Sequence, residues 1–138
     1  MSSFEIDVDP QRIDIDAAWA FLSTEAYWAR WRTREDFVTQ VANAWRVVGA
    51  FDRETGAQVG FARATSDGVS IAYLADVHVV AGARGQGIAK AMVRTMIDEG
   101  PGAQFRWMLH TEDAHDLYRP FGFSAPNGTY LERASTRR

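Results

Sequence analysis

A chain of 138 residues, 46% hydrophobic and 24% charged, has the size and apolar content of one domain with a buried core, spanning 1–138. A formal charge of −3 with no basic stripe excludes the electrostatic footprint of a nucleic-acid binder, and the absence of cysteine excludes disulfides, thiolate metal sites and a cysteine nucleophile. His78, His110 and His115 lack metal-ligand spacing, the N-terminus is acidic, and no apolar run approaches membrane-spanning length, so a cytoplasmic protein with no metal, nucleic-acid or membrane partner is expected.

Phe4, Ile6 and Val8 alternate with Glu5, Asp7 and Asp9, the pattern of a short edge strand. Asp16 is placed to cap a helix through Trp19, Phe21 and Leu22, and Thr33 with Asp36 forms a capping box for a second helix carrying Phe37, Val38, Val41, Ala42 and Trp45 on one face. Between them lies 23–32, aromatic and basic for a connector. Arg46–Phe51 and Gln58–Ala64 read as a hairpin turning at 52–56, and a turn at 66–68 leads into a nearly continuous apolar run, Ile71–Val80, expected to be a central strand. After a glycine-rich turn at 81–87, residues 88, 89, 92, 93, 96 and 97 keep helical spacing until Gly100-Pro101-Gly102. Phe105, Trp107 and Leu109 alternate in a fifth strand, Asp113–Arg119 reads as a short helix, and Phe123 with Thr129-Tyr130-Leu131 is expected to complete the sheet.

A glycine-rich turn opening into a helix is an anion site, because unpaired amides and the positive end of the helix dipole point the same way. The spacing removes two familiar phosphate loops. Ile88 stands where a P-loop needs lysine, and Lys90 stands where a dinucleotide fingerprint wants a small residue. The turn instead fits R/Q-x-x-G-x-G/A as Arg84-Gly85-Gln86-Gly87-Ile88-Ala89, which resembles the acetyl-CoA pyrophosphate loop of the GNAT superfamily of N-acetyltransferases. Downstream, Ala114 to Phe123 resembles that superfamily's second signature, A-x-x-L-Y-x-x-x-G-F, in the expected order. Ala81 stands where many members have proline, and Ala89 where many have glycine.

The resemblance implies an α+β, three-layer fold with a mixed, mainly antiparallel central sheet of about six to seven strands flanked by helices, in the order β-α-α-β-β-β-α-β-α-β-β. It implies an acetyl-CoA-dependent N-acetyltransferase in which a primary amine attacks the thioester directly through a tetrahedral intermediate. By that resemblance Val77, Val79, Arg84, Gly85, Gln86, Gly87, Ile88, Ala89 and Lys90 would bind the cofactor, the N–H of Val79 facing the acetyl carbonyl near a bulge. Tyr118 would be the general acid, since a phenol stays protonated at pH 7 and can donate to a thiolate. Asp76 is the candidate for a functional carboxylate, as base or as orienting group, with a structural pair to Arg63 as the alternative; His78, His110 or water are the other bases. The connector usually overhangs the acceptor mouth, which assigns Glu25, Tyr27, Trp28 and Trp31 to substrate binding; Arg30 and Arg32 would suit a carboxylate. A small, amphipathic or amino-acid-like amine is the expected acceptor. A protein-lysine or N-terminal acetyltransferase and a non-catalytic acyl-CoA-binding module are the alternatives, and a homodimer is left open.

Overall fold

The computed structural model describes residues 3–26 and 31–137. Strand β1 (Phe4–Asp7) leads through a short 3₁₀ turn to α1 (Ile15–Thr24) and α2 (Arg34–Ala42); then follow β2 (Arg46–Asp52), β3 (Gln58–Ser66), β4 (Ile71–Val79), α3 (Ile88–Met96), β5 (Arg106–Met108) and α4 (His115–Tyr118). The strands form one sheet in chain order, antiparallel from β1 to β4 and parallel between β4 and β5.

Local chemistry fixes the helix starts. Asp14, not Asp16, caps α1 by accepting from Ala17 N–H, and Thr33 with Asp36 forms the expected reciprocal box on α2. Helix α2 ends at Ala42, so Trp45 does not share its face; it lies just before β2 and packs on Phe105 and Trp107. Alternation along β3 sends Phe61 to one face and Ala62 and Ala64 to the other. Phe61 joins Phe21, Leu22 and Phe37 under α1 and α2, whereas Ala62 and Ala64 lie under Met92, Val93 and Met96 of α3. Each of these large side chains contributes about 1.5–3 kcal/mol by burial, and Met92→Ala would cost about 2–5 kcal/mol.

Two features of β4 position the site. First, its pairing with β5 covers only Ile71 to Tyr73, so its edge from Leu74 onward has no strand beside it among the described residues. Second, the β3–β4 register jumps: Phe61 faces His78 and Arg63 faces Ala75, which leaves Asp76 and Val77 opposite Ala62. This is a bulge, and Asp76 holds the left-handed conformation there (φ 61°).

The sheet has five strands among the described residues, not six to seven. Phe123 and Thr129-Tyr130-Leu131 do not extend it. Asn127 turns the chain, its side chain accepting from Thr129 N–H and its carbonyl from Tyr130 N–H, and Leu131 is 92% exposed, so this segment buries no face that would hold it in a sheet.

Candidate active site at the splayed edge of β4

Where β5 leaves β4, two cavities open and meet at Val77, Asp113, Ala114 and Tyr118. One, of about 640 Å³, runs along Val77 and Val79 to the glycine-rich turn. The other, of about 540 Å³, is walled by Trp31, Arg32, Arg63, Tyr73 and His110.

The first cavity is built mostly from backbone. Gly85 and Gly87 take φ of 85° and 80°, and a Cβ at either would meet nothing within 4 Å, so open space lies beside the turn. Gly87 stands at the N-terminus of α3 with no side-chain cap, leaving the first amides of the helix for a ligand. Val80 N–H donates to Val59 O on β3 at 2.9 Å. By alternation, Val79 turns its N–H to the opposite edge, where no strand pairs with it among the described residues, and Val77 lies in the bulge next to it. An unpaired edge of amides beside an anion-binding turn fits a long ligand with peptide-like groups at one end and phosphates at the other.

Most of the cofactor residues expected from sequence lie here together: Val77, Val79, Arg84, Gly85, Gly87, Ile88, Ala89 and Lys90 all line this cavity. Gln86 does not. Its amide donates to Ala83 O and its carbonyl oxygen accepts from the Ser3 hydroxyl, which ties the turn to the N-terminus instead. Arg84 Nε donates to Val79 O at 3.1 Å, fastening the turn to β4.

Tyr118 lies at the junction, 7% exposed, with its ring edge-on to Phe123. Burial, reinforced by the charge of Asp113, raises its hydroxyl to about 12. His78 lines the cofactor-side cavity and stacks flat on Phe21, centroids 4.3 Å apart. Its Nδ1 lies 2.9 Å from Asp76 O and must donate, since a carbonyl only accepts; Nε2 then carries the lone pair. Burial holds its pKa below the ordinary histidine value, so the neutral ring persists at neutral pH. Phe21 was missed from sequence, because its helical spacing looks the same whether it covers core or a histidine.

Asp76 is buried under the acceptor-side cavity and its carboxylate is fully engaged. Arg32 Nη2 and Nη1 donate to Oδ1 and Oδ2 at 2.8 and 2.9 Å, and Arg63 Nε donates to Oδ2 at 2.6 Å. Burial alone would raise its pKa, but the Arg32 hydrogen bonds and the charges of Arg63 and Arg32 outweigh burial and hold it below the ordinary value. A carboxylate so stabilised is a poor base, and the structural pair with Arg63, the alternative to a functional carboxylate, is present. Arg32, expected to meet a carboxylate of the acceptor, spends both terminal nitrogens on Asp76 and Gln40.

Of the expected acceptor-binding residues, Trp31 lines the acceptor-side cavity, Glu25 lines the cofactor-side one, and Tyr27 and Trp28, like Arg30, lie outside the described residues. His110 sits at the far rim, its Nδ1 2.5 Å from the Tyr73 hydroxyl and its Nε2 2.7 Å from Glu132. Tyr73 is four residues from Val77, roughly 10 Å or more along the strand, so this pair is remote from the junction. His115 bonds back to Thr111 O and is exposed. Among the described residues no cluster of three His, Asp or Glu side chains could hold a metal ion, and no helix is long and apolar enough to cross a membrane.

The model of the acetyltransferase (GNAT) family matches residues 13–123. Among solved structures, a protein from Xanthomonas campestris pv. campestris assigned to the GNAT acetyltransferases superposes with a TM-score of 0.89 at 30% identity, covering 98% of this chain and 95% of its own. An acetyltransferase from Clostridium acetobutylicum crystallised with acetyl-CoA superposes at 0.66 with 16% identity, covering 97% and 96%. Glucosamine-6-phosphate N-acetyltransferase from Arabidopsis thaliana superposes at 0.67 with 13% identity, covering 97% and 98%. The last two show the shared fold alone. No curated protein matches the chain.

Proposed function

Since the chain belongs to the GNAT acetyltransferase family, we propose that it transfers the acetyl group of acetyl-CoA to the primary amine of a small molecule. The observation that carries this reading is the junction at Val77 and Tyr118, where a cavity suited to a thioester cofactor meets a separate one suited to an acceptor. The turn from Arg84 to Lys90 and the first amides of α3 would hold the pyrophosphate, and the β4 edge at Val77 and Val79 would pair with the pantetheine amides. Val79 N–H is the donor for the oxygen that becomes negative as the amine adds.

Overall, one proton leaves the ammonium and one reaches the departing thiolate. His78 Nε2 is the base best supported by geometry, being neutral, in a fixed tautomer and on the wall of the reacting cavity. Tyr118 donates to the thiolate. With its pKa at about 12 against about 8.5 for a thiol, complete transfer is uphill by roughly 5 kcal/mol at one pKa unit per 1.36 kcal/mol, so its contribution is a strong hydrogen bond rather than a lasting proton transfer.

Calorimetry with acetyl-CoA, beside a thiol-release assay on small amines and lysine-rich peptides, tests the reading. Micromolar binding with amine-dependent thiol release from small amines is the expected result. Binding without release by any amine would make the chain an acyl-CoA-binding module, and much faster turnover of peptides would overturn the small-molecule assignment.

A further inference from the structure

The floor of the acceptor-side cavity carries an unbalanced charge. Two guanidiniums, Arg32 and Arg63, share the single carboxylate of Asp76, with side-chain exposures of 2%, 11% and 2%. Arg32 has both terminal nitrogens engaged, Nη1 by Gln40 and Asp76 and Nη2 by Asp76, and its Nε is buried with no partner. Arg63 uses only Nε; its two terminal nitrogens have no hydrogen-bond partner among the described residues, and the residue lines the cavity. A guanidinium is held best when its charge and its donors are both met; here one carboxylate serves two guanidiniums, and the planar fork of Arg63 opens onto the cavity without a protein partner among the described residues. Asp76 is the ion-pair partner of both guanidiniums; of the other groups nearby, Gln40 is neutral, Glu132 lies on the rim, already engaged with His110 and Tyr130, and Glu112 lines the cavity next to Asp113. At the other end of the same cavity Asp113 stands beside Tyr118, where the two cavities meet. The cavity is therefore positive at its floor and negative at the junction.

We propose that the acceptor is an amine that also bears an anionic group, a carboxylate or a phosphate monoester, which docks on the terminal nitrogens of Arg63 while its ammonium lies at the Asp113–Tyr118 junction. This rests on the acetyl-transfer reading above and names the substrate class for it. Arg32 and Asp76 act behind Arg63 as positioning residues: the bidentate Arg32–Asp76 pair fixes the carboxylate that holds Arg63 Nε, so the free edge of the fork faces the ligand. A neutral amine would leave the Arg63 charge unmet, and a polyamine or a lysine-rich peptide would bring positive charge to a positive floor.

Matched amines sharing one carbon skeleton provide the test, one series ending in carboxylate, one in phosphate and one in the neutral amide. With wild-type protein, kcat/KM is expected to be at least tenfold higher for one of the anionic series than for the amide, and which anion wins identifies the source. Arg63→Gln should erase that preference and Arg63→Lys should keep part of it, with acetyl-CoA affinity unchanged in both as the control for folding. Should neither variant fold, the wild-type ratio still decides, as does calorimetry of the N-acetylated anion against the N-acetylated amide on the CoA complex. Equal turnover of anionic and neutral amines overturns the anion site and leaves acetyl transfer standing. No thiol release from any amine, with selective binding of the N-acetylated anion, does the reverse. Absence of both sinks the anion site as well.

Discussion

The two cavities flanking β4 are made of different material. The cofactor side is backbone: two left-handed glycines, the first turn of α3, and a strand edge with no strand beside it among the described residues because β5 departs after Tyr73. The acceptor side is side chain: Arg32 from before α2, Arg63 from β3, Asp76 from the bulge of β4 and Trp31 from the connector. A backbone site reads the part of a ligand that never changes, such as a pyrophosphate and its peptide-like arm. A site assembled from side chains of three separate segments can be altered one residue at a time, which suits the part of the reaction that differs between enzymes of one fold.

The largest expected effect breaks the acceptor side. Asp76→Asn keeps the shape, and asparagine tolerates φ of 61°, so the change isolates the charge. It leaves two guanidiniums without their carboxylate and should destabilise the fold by about 3–5 kcal/mol, read by chemical denaturation. Because the folded pKa of Asp76 is depressed, its contribution is present above the ordinary carboxylate value of 3.8 and is lost as pH falls through the folded value. Wild type should therefore lose stability below pH 3.8 in a step that the variant lacks. A loss under 1 kcal/mol would mean that the triad does not hold the bulge.

That contrast in material also explains what the sequence could disclose. The turn Arg84–Lys90 was legible because positive φ favours glycine and because helix starts and turns are local, so the residues that make the turn are also neighbours in the chain. The capping box on α2 and the hairpin between β2 and β3 were legible for the same reason. Arg32 meets Asp76 across 44 positions of sequence, and the direction each side chain takes depends on a bulge that no periodicity reports. The sequence left Asp76 between base, orienting group and a structural pair with Arg63; the structure shows that pair, with Arg32 as a second partner. The last strands were over-read because Thr129-Tyr130-Leu131 has strand composition, yet it has no face to bury once Asn127 turns the chain.

Two further substitutions sharpen the comparison by acting on one side at a time. Tyr118→Phe keeps the buried ring and removes the hydroxyl at the junction; kcat should fall by about ten- to a hundredfold, at the low end for an acid catalyst because a hydroxyl at about 12 is a reluctant donor. An unchanged kcat, with chemistry limiting, would return Tyr118 to a packing role. Gly87→Asp places a carboxylate in the open space beside the turn and should weaken acetyl-CoA binding by tenfold or more, about 1.4 kcal/mol, without touching acceptor selectivity. If acetyl-CoA binds the folded variant normally, the turn is not the pyrophosphate site.

The smallest effect concerns His78, which belongs to the cofactor side by position and to the acceptor side by its bond to Asp76 O. Around it lie Phe21 from α1, Phe61 from β3, the carboxylate of Asp76, and the Arg84 guanidinium, which adds to burial in disfavouring the imidazolium. A histidine titrating at its ordinary value of 6.5 would lose at most about fourfold of its neutral form between pH 7.5 and 6.0. Since the folded value is lower, kcat/KM should fall by less than fourfold over that interval, with the acid limb displaced below 6.5. The same depression means that the unfolded chain takes up the proton first, so stability should also begin to decline as pH drops through 6.5. His78→Gln should flatten both trends. An acid limb at or above pH 6.5 that survives in His78→Gln would show that another group, or water, receives the ammonium proton, and the base would then have to be sought on the acceptor side.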